Sequence, residues 1–262
     1  MATIKQFQNN GYLIKKKFLK SKRFYSICNN LNNDIEKNFS KKNLNKLGGF
    51  IAGNLNVNPG PFGKPILKLL LKNGLAKILK EISGKNINNF TMSVGGNLTM
   101  PNKYAQYFHM DGDYQDLFYF VSVATSNVYK ADGPTEIVLG GHKKELPYWK
   151  FLIKKKKIKK LILSRGDLII RRSNLWHRGT VNYSNKNRYI IAYLFFEKKD
   201  KNNPGKITDN YFPKKIKITN NFFGNNISQK IFEYFYIYFG FLFVTWRFFC
   251  SFFIKIKRKN YL

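Results

Sequence analysis

Between residues 21 and 39 the apolar positions return every three or four residues, at Phe24, Ile27, Leu31, Ile35 and Phe39. That spacing places them on one side of a helix, with Ser21 as its start signal. A second stripe, Ile66, Leu69, Leu70, Ile78, Leu79 and Ile82, predicts one amphipathic helix over 66–84, ended by Gly84. Ahead of these, 11–19 reads as a short strand, and the Gly-, Pro- and Asn-rich 53–65 reads as a loop.

From residue 90 the period changes. Short runs rich in β-branched and aromatic residues occur at 89–94, 104–110, 117–124, 135–139, 160–164, 167–172 and 189–196. Turn residues separate them: Gly95-Gly96, Asp132-Gly133-Pro134, Gly140-Gly141 and Gly166-Asp167. One helical interruption is expected at 145–159, its lysines forming a solvated face. Many strands at short spacing, without long helices between them, predict a sandwich or barrel rather than a βαβ fold. No internal repeat is visible. The last segment differs again: 231–254 is nearly all apolar and ends in the basic run 255–259. This divides the chain into a domain over 1–222 and an aromatic, basic-ended tail over 223–262.

Composition changes this picture little. The 44% hydrophobic content is that of a globular protein. The net charge of +33 alone would fit nucleic acid or an anionic membrane. However, Lys, Asn, Ile, Phe and Tyr are abundant together, which AT-rich coding produces without selection for binding. Lys also outnumbers Arg, whereas base-reading and phosphate-clamping sites favour the planar guanidinium. No specific nucleic-acid partner is expected. Two distant cysteines, Cys28 and Cys250, make neither a disulfide framework nor a metal cluster and fit a reducing compartment. Lys15, Lys16 and Lys17 interrupt any signal-peptide core near the N-terminus, so the expected location is cytoplasmic.

The chemistry starts at "YFHMDGDY", 107–114. In a strand, residues two apart point to one face, so His109 and Asp111 present an imidazole and a carboxylate side by side. Alone, that pair is weak evidence. His177 adds a second imidazole, and Arg188 follows it by eleven residues, a spacing a hairpin can close. Two His and one carboxylate form the facial triad of non-haem Fe(II) oxygenases, which leaves positions open for a 2-oxo acid and O₂. The far carboxylate of that acid needs a planar partner, and Arg188 offers one.

The segment 104–197 resembles the phytanoyl-CoA dioxygenase (PhyH-like) family of Fe(II)/2-oxoglutarate oxygenases. The matching pieces are "HMD" (109–111), "ADGPTEIVLGGHKK" (131–144), "SRGDLIIRRSNLWHRG" (164–179) and Arg188. The resemblance implies a mainly β protein with flanking helices: a double-stranded β-helix (jelly-roll, cupin-like) core with N-terminal helices on one sheet. It implies that His109, Asp111 and His177 bind Fe(II) and that Arg188 binds 2-oxoglutarate. Turnover would decarboxylate 2-oxoglutarate to succinate and CO₂ while O₂ hydroxylates a small organic or lipid-like substrate. Halogenating relatives lack the carboxylate; here Asp111 is present, which implies hydroxylation. Some members carry Ser two residues after the distal His. This chain has Gly179 there, and the resemblance offers Thr180 as the expected substitute contact to the oxo acid. His142 matches the family signature outside the triad and reads as a turn-stabilising side chain. Asp113 is a candidate hydrogen-bond partner for a ligand histidine. Segments 53–65, 95–103 and 112–116 are candidate pocket walls.

Two rival classes remain at this level. A cupin-like isomerase or other non-oxygenase would share the histidines but give Arg188 no task. A basic membrane-surface or nucleic-acid binder would use the charge but leave His109 and Asp111 idle. The tail has three readings. Residues 234–254 carry a single charge, Arg247, and a spanning helix needs about 20 apolar residues. A central arginine costs roughly 2.5–3.5 kcal/mol on insertion, so interfacial anchoring of 231–259 on the inner membrane face competes with packing on the core and with spanning.

Overall fold

The computed structural model describes residues 2–38, 54–101, 105–112, 117–197, 212–220, 231 and 239–253. In chain order the helices are α1 (Ala2–Asn10), α2 (Lys22–Asn38), α3 (Gly63–Lys72), α4 (Leu75–Ser83), α5 (Tyr148–Ile153) and α6 (Gly240–Cys250). The strands are β1 (Tyr12–Lys15), β2 (Asn54–Asn58), β3 (Phe90–Thr99), β4 (Phe118–Ala124), β5 (Thr135–Val138), β6 (Ile158–Lys160), β7 (Leu168–Arg172), β8 (His177–Gly179), β9 (Arg188–Glu197) and β10 (Lys217–Asn220). Seven form one sheet in the order β1-β7-β4-β9-β3-β2-β10, and three form another in the order β6-β5-β8. All the pairings are antiparallel. This is the jelly-roll core with flanking helices that the sequence predicts.

Strand parity decides what each face of the large sheet does. Val121, Val123, Leu168, Ile170, Ile191, Tyr193, Phe195 and Leu98 point to one side. There they meet Phe24, Cys28, Leu31 and Ile35 of α2, Ile66 and Leu70 of α3, and Leu75, Ile78, Leu79 and Ile82 of α4. The N-terminal helices therefore bury their stripes on this face, as expected. The phenol of Tyr193, fully buried, donates to the Gly63 carbonyl at 2.7 Å, so the polar tip of a core residue also ties α3 to the sheet. The opposite face looks toward the small sheet. At one end the two sheets are joined by Tyr12, Ala124, Val128, Ile137, Leu161, Leu163, Ile169 and Leu175; elsewhere they leave a cavity.

The structure corrects several boundaries. The single helix expected over 66–84 is two, because Gly74 sits at φ +92° between α3 and α4. An L side chain is disfavoured there, so the turn is local chemistry rather than tertiary strain. Residues 54–58, expected as loop, form β2: Leu55 and Val57 enter the core while Asn56 between them faces the cavity. Gly95-Gly96, expected as a turn, lies inside β3. A side chain at Gly96 would collide with the backbone of Ile190 and Ile191 on β9, so glycine there permits close pairing. The helix expected over 145–159 is reduced to α5. Lys156 folds back and donates to the carbonyls of Phe151, Leu152 and Lys154, which satisfies the open end of that short helix. The strand expected at 160–164 is displaced to β6, and α1 was not anticipated. Phe39 lies outside the described residues.

Candidate metal centre

The segment 105–111 is too irregular to count as a strand, but its backbone is fixed along β8. Gln106 N–H donates to the Gly179 carbonyl at 2.9 Å, and the Gln106 side-chain oxygen accepts from Gly179 N–H at 2.7 Å. His109 and His177 then exchange both backbone hydrogen bonds, each at 2.9 Å. Asp111 N–H donates to the Ser173 carbonyl at 3.0 Å. Residues 68 positions apart in sequence are thereby held as directly facing partners, with their ring centroids 4.4 Å apart.

The rings are oriented by a repeated device. His109 Nδ1 lies 2.9 Å from the Tyr107 carbonyl, and His177 Nδ1 lies 2.9 Å from the Leu175 carbonyl. A carbonyl only accepts, so each Nδ1 carries a hydrogen, and in the neutral ring the lone pair is left on Nε2. Both Nε2 atoms face one carboxylate: His177 Nε2 is 3.2 Å from Asp111 Oδ2, and His109 Nε2 is 3.8 Å from Asp111 Oδ1. The ligand atoms of all three residues lie within 4.8 Å of one another. Two lone pairs aimed at a carboxylate repel unless a cation is shared among them, so the donor set fits a divalent transition metal. Burial, and then the neighbouring His177 ring, push His109 down to about 4, which keeps it neutral. Burial opposes charge on Asp111, but His177, Arg171 and His109 together hold its carboxyl well below the usual range.

The triad opens onto a cavity of about 360 Å³, within the usual range for small-molecule sites. Its walls divide by chemistry. Phe120, Leu161, Ile169, Ile190 and Leu194 supply hydrocarbon; Asn56, Asn97, Gln106 and Arg188 supply polar groups. Arg188 opens β9 opposite Thr99 and is buried. One terminal nitrogen donates to Thr99 Oγ1 and to Asn97 Oδ1, whereas Nε and Nη1 are buried without a partner among the described residues. No carboxylate pairs with it among the described residues. Burial lowers its pKa to about 10, with Asp132 opposing. A buried guanidinium with two donors unspent is costly unless a ligand completes it, and a carboxylate is the matching planar acceptor.

Thr180 is not among the residues lining the cavity. It is buried, and its hydroxyl donates to the Pro134 carbonyl at 2.6 Å. His142 stands apart from the triad: its Nε2 bonds the Gln8 carbonyl at 2.9 Å, tying 139–144 to α1. Asp113 lies outside the described residues, as do 102–104 and 114–116. Of the expected walls, Asn56, Gly95, Gly96 and Asn97 do line the cavity.

Arg171 escaped the sequence reading. Its Nη2 donates to Asp111 Oδ2 at 2.5 Å, its guanidinium lies over the Phe120 ring at 3.8 Å, and its Nη1 is buried without a partner among the described residues. It therefore fixes the Asp111 carboxylate from outside, the position that partners of metal ligands commonly take. The alternation in "DLIIRR" places Arg171 on the face shared by Ile169, which was the only signal available.

No protein-family model matches the chain, and no curated protein matches its sequence. Solved structures do match it. SnoK, a non-haem α-ketoglutarate-dependent carbocyclase from nogalamycin biosynthesis, gives a TM-score of 0.61 at 12% identity, covering 83% of this chain and 95% of its own. EvdO2 from Micromonospora carbonacea var. aurantiaca, complexed with 2-oxoglutarate, gives 0.58 at 12% identity over 80% and 96%. The epimerase SnoN in complex with Fe3+, α-ketoglutarate and nogalamycin RO gives 0.58 at 10% identity over 83% and 97%. At such identities the likeness is one of fold: the chain shares the jelly-roll architecture of these proteins.

Proposed function

We propose that this protein is an Fe(II)- and 2-oxoglutarate-dependent oxygenase of PhyH-like type that hydroxylates a small organic or lipid-like substrate. The observation that carries this reading is the pairing, in one cavity, of the His109–Asp111–His177 donor set with Arg188 and its two unspent donors. The solved structures of like fold support it: SnoK and SnoN are named as α-ketoglutarate-dependent enzymes, and EvdO2 holds 2-oxoglutarate.

His109 Nε2, His177 Nε2 and a carboxylate oxygen of Asp111 would hold the iron. When bound, the iron supplies O₂ activation coupled to oxidative decarboxylation of 2-oxoglutarate. The remaining tasks belong to the chain. The Tyr107 and Leu175 carbonyls hold both imidazoles in one tautomer. Arg171 keeps Asp111 ionised and fixed. Arg188 receives the far carboxylate of 2-oxoglutarate, with Thr99 and Asn97 orienting its plane. Phe120, Ile169, Ile190 and Leu194 exclude water and accept apolar parts of the substrate. Among the described residues the cavity lining carries two guanidiniums, Arg171 and Arg188, and one carboxylate, Asp111.

The test is succinate formation from 2-oxoglutarate with Fe(II) under O₂, in a substrate screen. Slow uncoupled succinate release without substrate is expected, and it is lost in His109→Ala and His177→Ala. Retention of turnover in both variants would overturn the proposal. Hydroxylation is read separately: ¹⁸O from ¹⁸O₂ should enter the product. Succinate formed with no label in the product would point to ring closure or epimerisation, the reactions for which SnoK and SnoN are named.

A further inference from the structure

Helix α6 has its faces reversed. Gly240, Val244, Arg247 and Ser251 share one side and meet the protein. Gly240 abuts Tyr107, Val244 joins the cluster of Tyr148, Phe151 and Trp176, Arg247 lies over the Tyr148 ring at 4.4 Å, and Ser251 Oγ accepts from Trp149 N–H at 3.0 Å. Phe241, Leu242, Trp246, Phe249 and Phe253 share the other side and face outward, with Trp246 69% and Phe253 86% exposed. At 100° per residue, positions 241, 242, 245, 246, 249 and 253 make one continuous stripe. Ordinary surface helices turn such a stripe inward. Here the glycine, the serine and the arginine are inside, and the aromatics are outside.

We propose that this stripe docks on an anionic lipid bilayer, with α6 lying in the headgroup plane. Three observations select that partner. First, the apolar stripe continues onto α5: Phe252 stacks on Trp149 at 4.6 Å, and Ile153 is exposed beside them. Second, the flanks carry one sign of charge. Lys154, Lys155 and Lys157 are exposed at the end of α5, and neither 146–160 nor 239–262 contains an Asp or Glu. Third, Arg247, the residue that argues against burial of this segment, is withdrawn from the stripe onto Tyr148. Crossing is not the geometry: no described helix is long and apolar enough to span a membrane, and eleven residues reach only about 16 Å. Outward aromatics with basic flanks match interfacial binding, which joins apolar burial to attraction for anionic headgroups.

The experiment is cosedimentation of the full chain with phosphatidylcholine vesicles, with and without phosphatidylglycerol. Binding to the anionic vesicles is expected, weakening with salt. The variant Trp246→Ser/Phe249→Ser/Phe253→Ser should bind at least about tenfold more weakly, and Lys154→Gln/Lys155→Gln/Lys157→Gln should also lose about tenfold or more. These side chains are exposed, so both variants should keep the parent's melting profile. Brominated lipid should quench the parent's tryptophan emission strongly and that of Trp246→Phe weakly. A parent that stays in the supernatant, or an aromatic variant that binds like it, overturns the proposal. So does a parent that ignores vesicles but forms dimers which the aromatic variant abolishes, since the stripe would then face a second copy. None of these readouts uses turnover, so they stand or fall apart from the oxygenase reading.

Discussion

The two faces of the seven-stranded sheet are built from the same strands and do opposite work. Toward the helices, β9 sends Tyr189, Ile191, Tyr193 and Phe195; toward the cavity it sends Arg188, Ile190, Ala192 and Leu194. On β7 the division is Leu168 and Ile170 against Ile169 and Arg171. The helix face is close to pure hydrocarbon, and its burial drives folding. The cavity face carries buried polar and charged groups that folding does not need. Stability and chemistry are thus separated by residue parity, one position apart along the same backbone.

The largest effect expected is on the cavity face. Asp111→Ala leaves two imidazoles without their carboxylate, so iron binding and succinate formation should both vanish; the fold should persist, with the melting midpoint lowered because Arg171 loses its ion-pair partner. A loss of fold would break the separation. On the other face, Leu70→Ala should cost about 2–5 kcal/mol of stability, since it opens a hole in a fully buried layer. Its turnover per folded molecule should be unchanged. Arg188 gives a sharper contrast. Arg188→Lys keeps the charge but loses the planar fork, and should raise the apparent constant for 2-oxoglutarate about tenfold or more with iron affinity intact. Arg188→Met should bind the oxo acid worse still, yet melt higher, because it removes a buried charge with two unpartnered donors. A fall in the melting point would mean that Arg188 is structural.

The smallest effect lies away from both faces, at His142. Burial, with Gln8 opposing and Arg172 and Lys143 adding to it, pushes this imidazole down to about 4 from its ordinary 6.5. Between those values the unfolded chain binds a proton that the folded chain refuses. The contribution is therefore complete above about pH 6.5 and is lost as pH falls toward 4. Melting curves over that range should slope less steeply in His142→Gln than in the parent.

Much of this was legible in the sequence where the local signal agreed with the tertiary outcome. Helix α2 occupies 22–38 against an expected 21–39, because its stripe is regular and its start is marked. Strand β2 was illegible because three of its five residues are asparagines, and only the pairing with β3 and β10 shows that Leu55 and Val57 are interior. The triad and Arg188 could be named from spacing and resemblance. Arg171 could not: parity told which residues shared its face, but not that this face held the cavity. Nor could the tail, where Arg247 read as an obstacle until the helix was seen to turn it inward.

The backbone bridge between His109 and His177 has a mechanical consequence. Their neighbours Phe108 and Trp176 point the other way and pack with Phe151 of α5, Trp176 stacking on it at 3.9 Å. The peptide units that aim His109 and His177 inward are the same ones that form the floor under α5 and α6. The outer helices and the imidazoles are thus joined through one packed layer, and a bilayer seated on α6 would hold the site at a depth set by that packing. Rigidity of this kind turns an anchor into a ruler: it would set which carbon of a membrane-held substrate comes within reach.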